Sequence, residues 1–206
     1  MGLTFGGLRS RVGDLAGFDL SVSQRDELLN EGHREIAIRS EWYRDELELG
    51  PATAGVSTYN VPANVARILE LQVAGYDYHS SDRGEVGRLT RGETSLLSGV
   101  RGLWWDKWNA GQRQIGLYPT PAGAETLDAL VILRPEELTD ADDEPVVPAE
   151  YRNAIVDYAA SIYYGDVEDN AELRSFHQDQ FDRKVAELRR LVTGTGRGVV
   201  QWKAGR

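Results

Sequence analysis

The hydrophobic period changes twice along this chain, and that change limits the available folds more than any other feature. Val22, Leu29 and Ile36 recur every seven residues, with Leu28 and Ala37 widening the stripe, the mark of one buried helix face. Ser21-Val22-Ser23-Gln24 and Ser23-Gln24-Arg25-Asp26 both resemble a capping box, so the spacing predicts a helix opening near Ser21 or Ser23 and running to about Arg44. Trp42 closes the stripe, and Gly50-Pro51 ends the region. A period of two follows. Residues 56–61 read as a short strand stopped by Pro62, and residues 67–73 set Leu69, Leu71 and Val73 against Glu70 and Gln72. Leu103-Trp104-Trp105-Asp106-Lys107-Trp108 suggests a strand or a packed corner. Residues 114–118 and 127–133 are two more strands, joined by a Pro119-Thr120-Pro121-Ala122-Gly123 turn. The second is apolar on both faces, which predicts a place inside the sheet. The helical period returns at Pro148, with Tyr151, Ile155, Ala159 and Ile162 on one face. Asp169 and Glu172 start a last helix, which carries a stripe of Leu173, Phe176, Val185, Leu188 and Val192. Arg189 and Arg190 suit its C-terminal dipole, and Gly194 lies just beyond.

These periods predict an α+β chain, mainly an α-helical bundle of three main helices with an inserted small antiparallel β sub-domain. Residues 1–50 and 146–194 are expected to form the helical bundle, 51–145 the β-rich insertion, and 195–206 a flexible tail. With 41% hydrophobic and 27% charged residues, the chain can build a core. No apolar run approaches the ~20 residues that span a bilayer, and residues 1–20 lack the apolar stretch of a secretory signal. The absence of cysteine removes disulfides, thiolate metal sites and Cys nucleophiles, and fits assembly in a reducing cytoplasm. A net charge of −10 argues against a broad grip on phosphate, though not against a protein that surrounds DNA.

The acid is unevenly spread. Glu136, Glu137, Asp140, Asp142, Asp143, Glu144 and Glu150 form a run without a base, which reads as a solvated linker. Residues 80–102 hold five glycines and read as a long polar excursion with a short helix around 93–97. His33, His79 and His177 are isolated and read as structural or surface residues, not metal ligands. Gly194-Thr195-Gly196-Arg197-Gly198 follows a helix instead of opening one, so it reads as a C-cap and hinge and not as a phosphate loop. Asp106 is the one acid within the Trp104–Trp108 cluster. A carbohydrate-binding or carbohydrate-cleaving module built on that cluster is a competing reading, but one acid does not make the carboxylate pair of a glycosidase. No catalytic residue, metal or cofactor is expected.

The order of phrases carries more than any one of them. Leu28-Leu29-Asn30-Glu31-Gly32-His33-Arg34-Glu35-Ile36-Ala37 leads to Trp42, then to Thr58-Tyr59-Asn60-Val61-Pro62. Leu117-Tyr118-Pro119-Thr120-Pro121 and Arg134-Pro135-Glu136-Glu137-Leu138 follow, and then Val147-Pro148-Ala149-Glu150-Tyr151 with Ile155-Val156-Asp157-Tyr158-Ala159-Ala160. Across roughly residues 21–192 this string resembles the bacteriophage head–tail connector (adaptor, or neck) proteins with a β insertion in a helical bundle. The resemblance implies a structural protein of the virion, assembled in the host cytoplasm into a ring, typically of twelve copies. That ring would sit below the portal protein, extend the DNA channel without sequence-specific binding, and offer the next neck or tail protein its attachment surface. A tail-completion or other neck or tail part is the alternative within the same class.

The family motifs are structural, so no catalytic residue carries over. In related adaptors the C-terminal segment commonly reaches the portal. Here Val199, Val200, Trp202, Lys203 and Arg206 form an apolar patch beside two bases. They are the candidate portal-contact residues, in a tail expected to order only in the assembled neck.

Overall fold

The computed structural model describes residues 3–15, 19–82 and 102–194. The chain divides into two compact units, Met1–Tyr43 with Arg134–Arg206, and Arg44–Leu133.

The first unit is helical. Helix α1 (Phe5–Gly13) buries Phe5, Leu8 and Val12 completely. Its glycines hide it from a propensity reading, yet its N-terminus is satisfied by tertiary contacts. Phe5 N–H donates to Asp143 O and Gly6 N–H to Ala141 O, both at 2.8 Å. A Cβ on Gly6 would sit 3.1 Å from Ala141, so the glycine permits that close approach. Helix α2 (Val22–Arg39) resolves the ambiguous register at its start. Ser21 is the N-cap, and Ser21 with Gln24 forms the capping box. Leu29, Ile36 and Ala37 are buried, but Val22 is 66% exposed, because it lies in the first turn at the edge of the packed face. The helix stops at Arg39, five residues before Arg44, where the chain enters a strand.

A single 3-10 turn (Ala149–Tyr151) leads into α3 (Asn153–Asp166), whose Ile155, Ala159 and Ala160 are fully buried. Helix α4 (Ala171–Gly194) returns along it, burying Phe181, Val185 and Leu188. Leu173 and Phe176, expected on the buried stripe, are exposed, because the N-terminal two turns of α4 project beyond its packed face. The four helices share one core, in which Tyr163 and Phe181 are the largest buried aromatics besides Phe5.

The second unit is a sheet of strands β1 (Arg44–Ala52), β2 (Thr58–Asn60), β3 (Val65–Val73), β4 (Tyr76–Ser80), β5 (Gly102–Asn109), β6 (Gln112–Tyr118) and β7 (Glu125–Leu133). Their order is β1-β7-β3-β4-β5-β6-β2, curled into a nearly closed barrel. This corrects the expectation of a mainly three-helix bundle with a small antiparallel insertion. Among the described residues there are four α-helices, and 29% of the structure is strand, in a mixed seven-stranded sheet. The parallel pair is β4 with β5, Tyr78 facing Gly102. It arises because the chain leaves β4 and returns only after a connection of about twenty residues, long enough for the crossover that a parallel pair requires.

Strand β7 lies between β1 and β3, as its two apolar faces predicted, and Leu127, Val131 and Ile132 are fully buried. Register shifts in β3 opposite β7 reset the alternation, so Val65, Ile68, Leu71 and Val73 point inward while Leu69 is half-buried. Ala74 and Gly75 turn β3 into β4, and Ala110 and Gly111 turn β5 into β6, all four at positive φ in two-residue hairpin loops.

Candidate functional site

Helix α2 presents a polar row that fixes the segment between β7 and the 3-10 turn. The Asn30 side chain is buried and bonds the backbone of Leu138 twice, accepting from its N–H at 2.7 Å and donating to its carbonyl at 3.0 Å. One turn on, His33 Nε2 accepts the Val146 N–H at 3.0 Å, and Trp42 Nε1 donates to Val146 O at 3.2 Å. Leu138 and Val147 are buried beneath the row. From below, Arg152 donates to Val147 O, Leu3 O and the Glu144 carboxylate at 3.1, 3.0 and 2.7 Å. The Asp143 carboxylate accepts from the N–H groups of Thr139 and Asp140 at 2.7 and 2.8 Å, which holds its pKa below the usual carboxylate range. The acidic run read as a solvated linker is therefore an ordered strap. Asp143 forms its turn, Glu144 pairs with Arg152, and its backbone caps α1, while Glu136, Glu137, Asp140, Asp142 and Glu150 are exposed. Sequence periodicity misses it because it has no period; its anchors are single polar residues.

None of the three histidines builds a metal site, and among the described residues no group of three or more His, Cys, Asp or Glu side chains could hold a metal ion. His33 is 1% exposed. Burial, with the nearby Arg152 and Arg34, lowers its pKa to about 4, so it is neutral. With Nε2 accepting, its proton sits on Nδ1, which is buried without a hydrogen-bond partner among the described residues. His177 on α4 bonds Asp157 through Nδ1 at 2.9 Å and stacks on Tyr164. Burial pushes the Asp157 carboxyl up, and His177 opposes the shift. His79 is exposed on β4.

The tryptophan cluster does not converge. Trp104 is buried and Trp108 is 66% exposed at the far end of the same strand. Trp105 points to the other face and lies over Gly116, where a Cβ would be 2.2 Å from its ring. Asp106, the acid a sugar-cleaving reading would need, is paired with Arg113 through two bonds of 2.9 and 3.0 Å. Arg113 also donates to the carbonyls of Val65 and Ala66. A shallow groove at the β3–β4 turn is lined by Tyr76, Tyr78, Pro119, Pro121 and Glu125 among others, with one carboxylate in it.

The tail residues Val199, Val200, Trp202, Lys203 and Arg206, the glycines after Gly194 and the helix expected around 93–97 lie outside the described residues. Within them, exposed apolar side chains include Trp108 on the β5–β6 hairpin, Val167, Leu173 and Phe176 where α3 turns into α4, and Leu191 near the end of α4.

These polar groups hold the fold, and exposed apolar side chains are left on its helices and strands. The SU10 adaptor protein family matches residues 3–201. The chain belongs to that family, and it is a structural adaptor component of a bacteriophage virion. No curated protein matches the chain. No described helix is long and apolar enough to cross a membrane.

Proposed function

We propose that the chain is the head–tail adaptor of a tailed phage, a non-enzymatic subunit. Copies of it, twelve in the family's usual arrangement, form a ring below the portal protein and present the attachment surface for the next neck or tail protein. The observation that carries this reading is the family match over residues 3–201. The chemistry supports it: Asp106 and Glu144 serve ion pairs, Asp143 a turn, and His33 and His177 hydrogen bonds within the fold. The net charge of −10 suits a channel wall along which DNA slides, since clustered Lys and Arg would hold the phosphates.

In this reading Val199, Val200, Trp202, Lys203 and Arg206 contact the portal, and the tail orders there. The test is electron microscopy of the full-length protein mixed with its portal, beside a chain ending at Gly194. The full chain is expected to decorate one end of the portal as a ring, and the shortened chain to fold but not to bind. A shortened chain that binds with unchanged affinity removes the tail from the contact. Salt-sensitive, submicromolar binding of free duplex DNA by the full chain counts against the passive channel.

A further inference from the structure

The α3–α4 corner and the C-terminal turn of α4 carry exposed apolar side chains. At the corner Val167 is 57% exposed, Leu173 37% and Phe176 55%. This corner is firmly built. Tyr163 Oη accepts the Asp19 N–H at 3.1 Å and donates to Glu168 at 2.8 Å. Asn170 N–H donates to Tyr164 O at 2.8 Å, and its side chain caps the Leu173 N–H at 3.1 Å. Phe176 lies edge-on to His177, itself fixed by Asp157. Residues 164–173 contain Asp166, Glu168, Asp169 and Glu172 and no base; the next base, Arg174, lies over Gly165. At the other end of α4, Leu191 is 46% exposed, and residues 188–194 contain Arg189 and Arg190 and no acid. Arg189 reaches Glu41 at 3.0 Å, and Arg190 is exposed beside it. The helix dipole accounts for acids at one end and bases at the other. It does not account for the exposed apolar side chains at both.

We propose that these ends are the two halves of one self-interface. The corner of one copy receives the C-terminal turn of α4 from the next copy, Arg190 meeting the corner acids and Leu191 packing on Val167 and Phe176. Charge selects this arrangement, because corner on corner sets acid against acid and end on end sets base against base. The occupant is a second copy because both complementary halves belong to one chain. A contact between unlike patches is heterologous, so copies add head to tail until the rotation closes. The inference rests on the ring reading and names the surface that makes the ring.

The test uses full-length chains in sedimentation velocity across a concentration series, with Glu172→Arg, Arg190→Glu and the double variant. Each single variant is expected to weaken self-association about tenfold or more. The double variant, and an equimolar mixture of the two single variants, are expected to restore it. Phe176→Ser is expected to weaken it without changing the circular dichroism spectrum. If the single variants associate like the wild type, this surface is wrong while the ring reading stands. If the wild type forms only a closed dimer, or remains a monomer at its highest soluble concentration, both this interface and a self-assembled ring are overturned.

Discussion

At the scale of single residues, His33 couples stability to acidity. Its folded pKa of about 4 lies below the ordinary 6.5, so the unfolded chain takes up the proton first. The stability tied to the neutral ring is complete above pH 6.5 and is lost as pH falls from 6.5 towards 4. The full effect is about 3 kcal/mol. Protonation also removes the acceptor for Val146 and sets a charge beside Arg152. Urea unfolding of His33→Gln is expected to show a flatter loss between pH 6.5 and pH 4 than the wild type. An equal loss in both would assign the acid sensitivity elsewhere. Gly116 is a second such point, since an added Cβ would meet the Trp105 ring at 2.2 Å. Gly116→Ala is expected to cost about 1–3 kcal/mol by displacing that ring, read as a lower denaturant midpoint at unchanged slope. Neither role is visible in the sequence, where His33 is an isolated histidine on a helix and Gly116 one of 22 glycines.

At the scale of elements, the strap from 134 to 148 depends on few anchors, and Asn30 is the central one. Asn30→Leu leaves the Leu138 N–H and carbonyl unpaired in a buried place. The expected loss is about 2 kcal/mol or more, with faster hydrogen exchange at Leu138 and, through the carbonyls of Ala141 and Asp143, at the first turn of α1. Unchanged exchange at Phe5 and Gly6 would show that α1 does not depend on the strap. Elements with a strong period were legible: α2, α3, the buried half of α4, and the central strand β7. Elements whose order comes from partners were not. Helix α1 has the right apolar spacing but too many glycines, and β1 continues a stretch that helical spacing had claimed as far as Arg44. Strand β4 gets its place from pairing with β3 and β5, since its own burial does not alternate.

At the scale of the whole molecule, the Arg44–Leu133 unit has its own buried residues, including Leu71, Ile115, Leu117 and Leu127. Its two ends lie side by side, with Arg44 opposite Ile132 in the β1–β7 pair. The excised 44–133 fragment is therefore expected to fold alone, with a strand-rich circular dichroism spectrum and a cooperative melt. A fragment without a cooperative transition would mean that the barrel draws its stability from the rest of the chain. By itself the sequence determined the alternation of helical and strand-rich stretches, the absence of thiol chemistry, the charge, and a family whose work is structural. These follow from periodicity, composition and the order of phrases, all of which are local or additive. The tertiary structure decided the barrel, its parallel β4–β5 pair, the strap and the exposed α3–α4 corner. Each of these depends on pairings between distant residues, as in Asn30 with Leu138 or Tyr78 with Gly102, and no local pattern encodes which distant partner a backbone group will find.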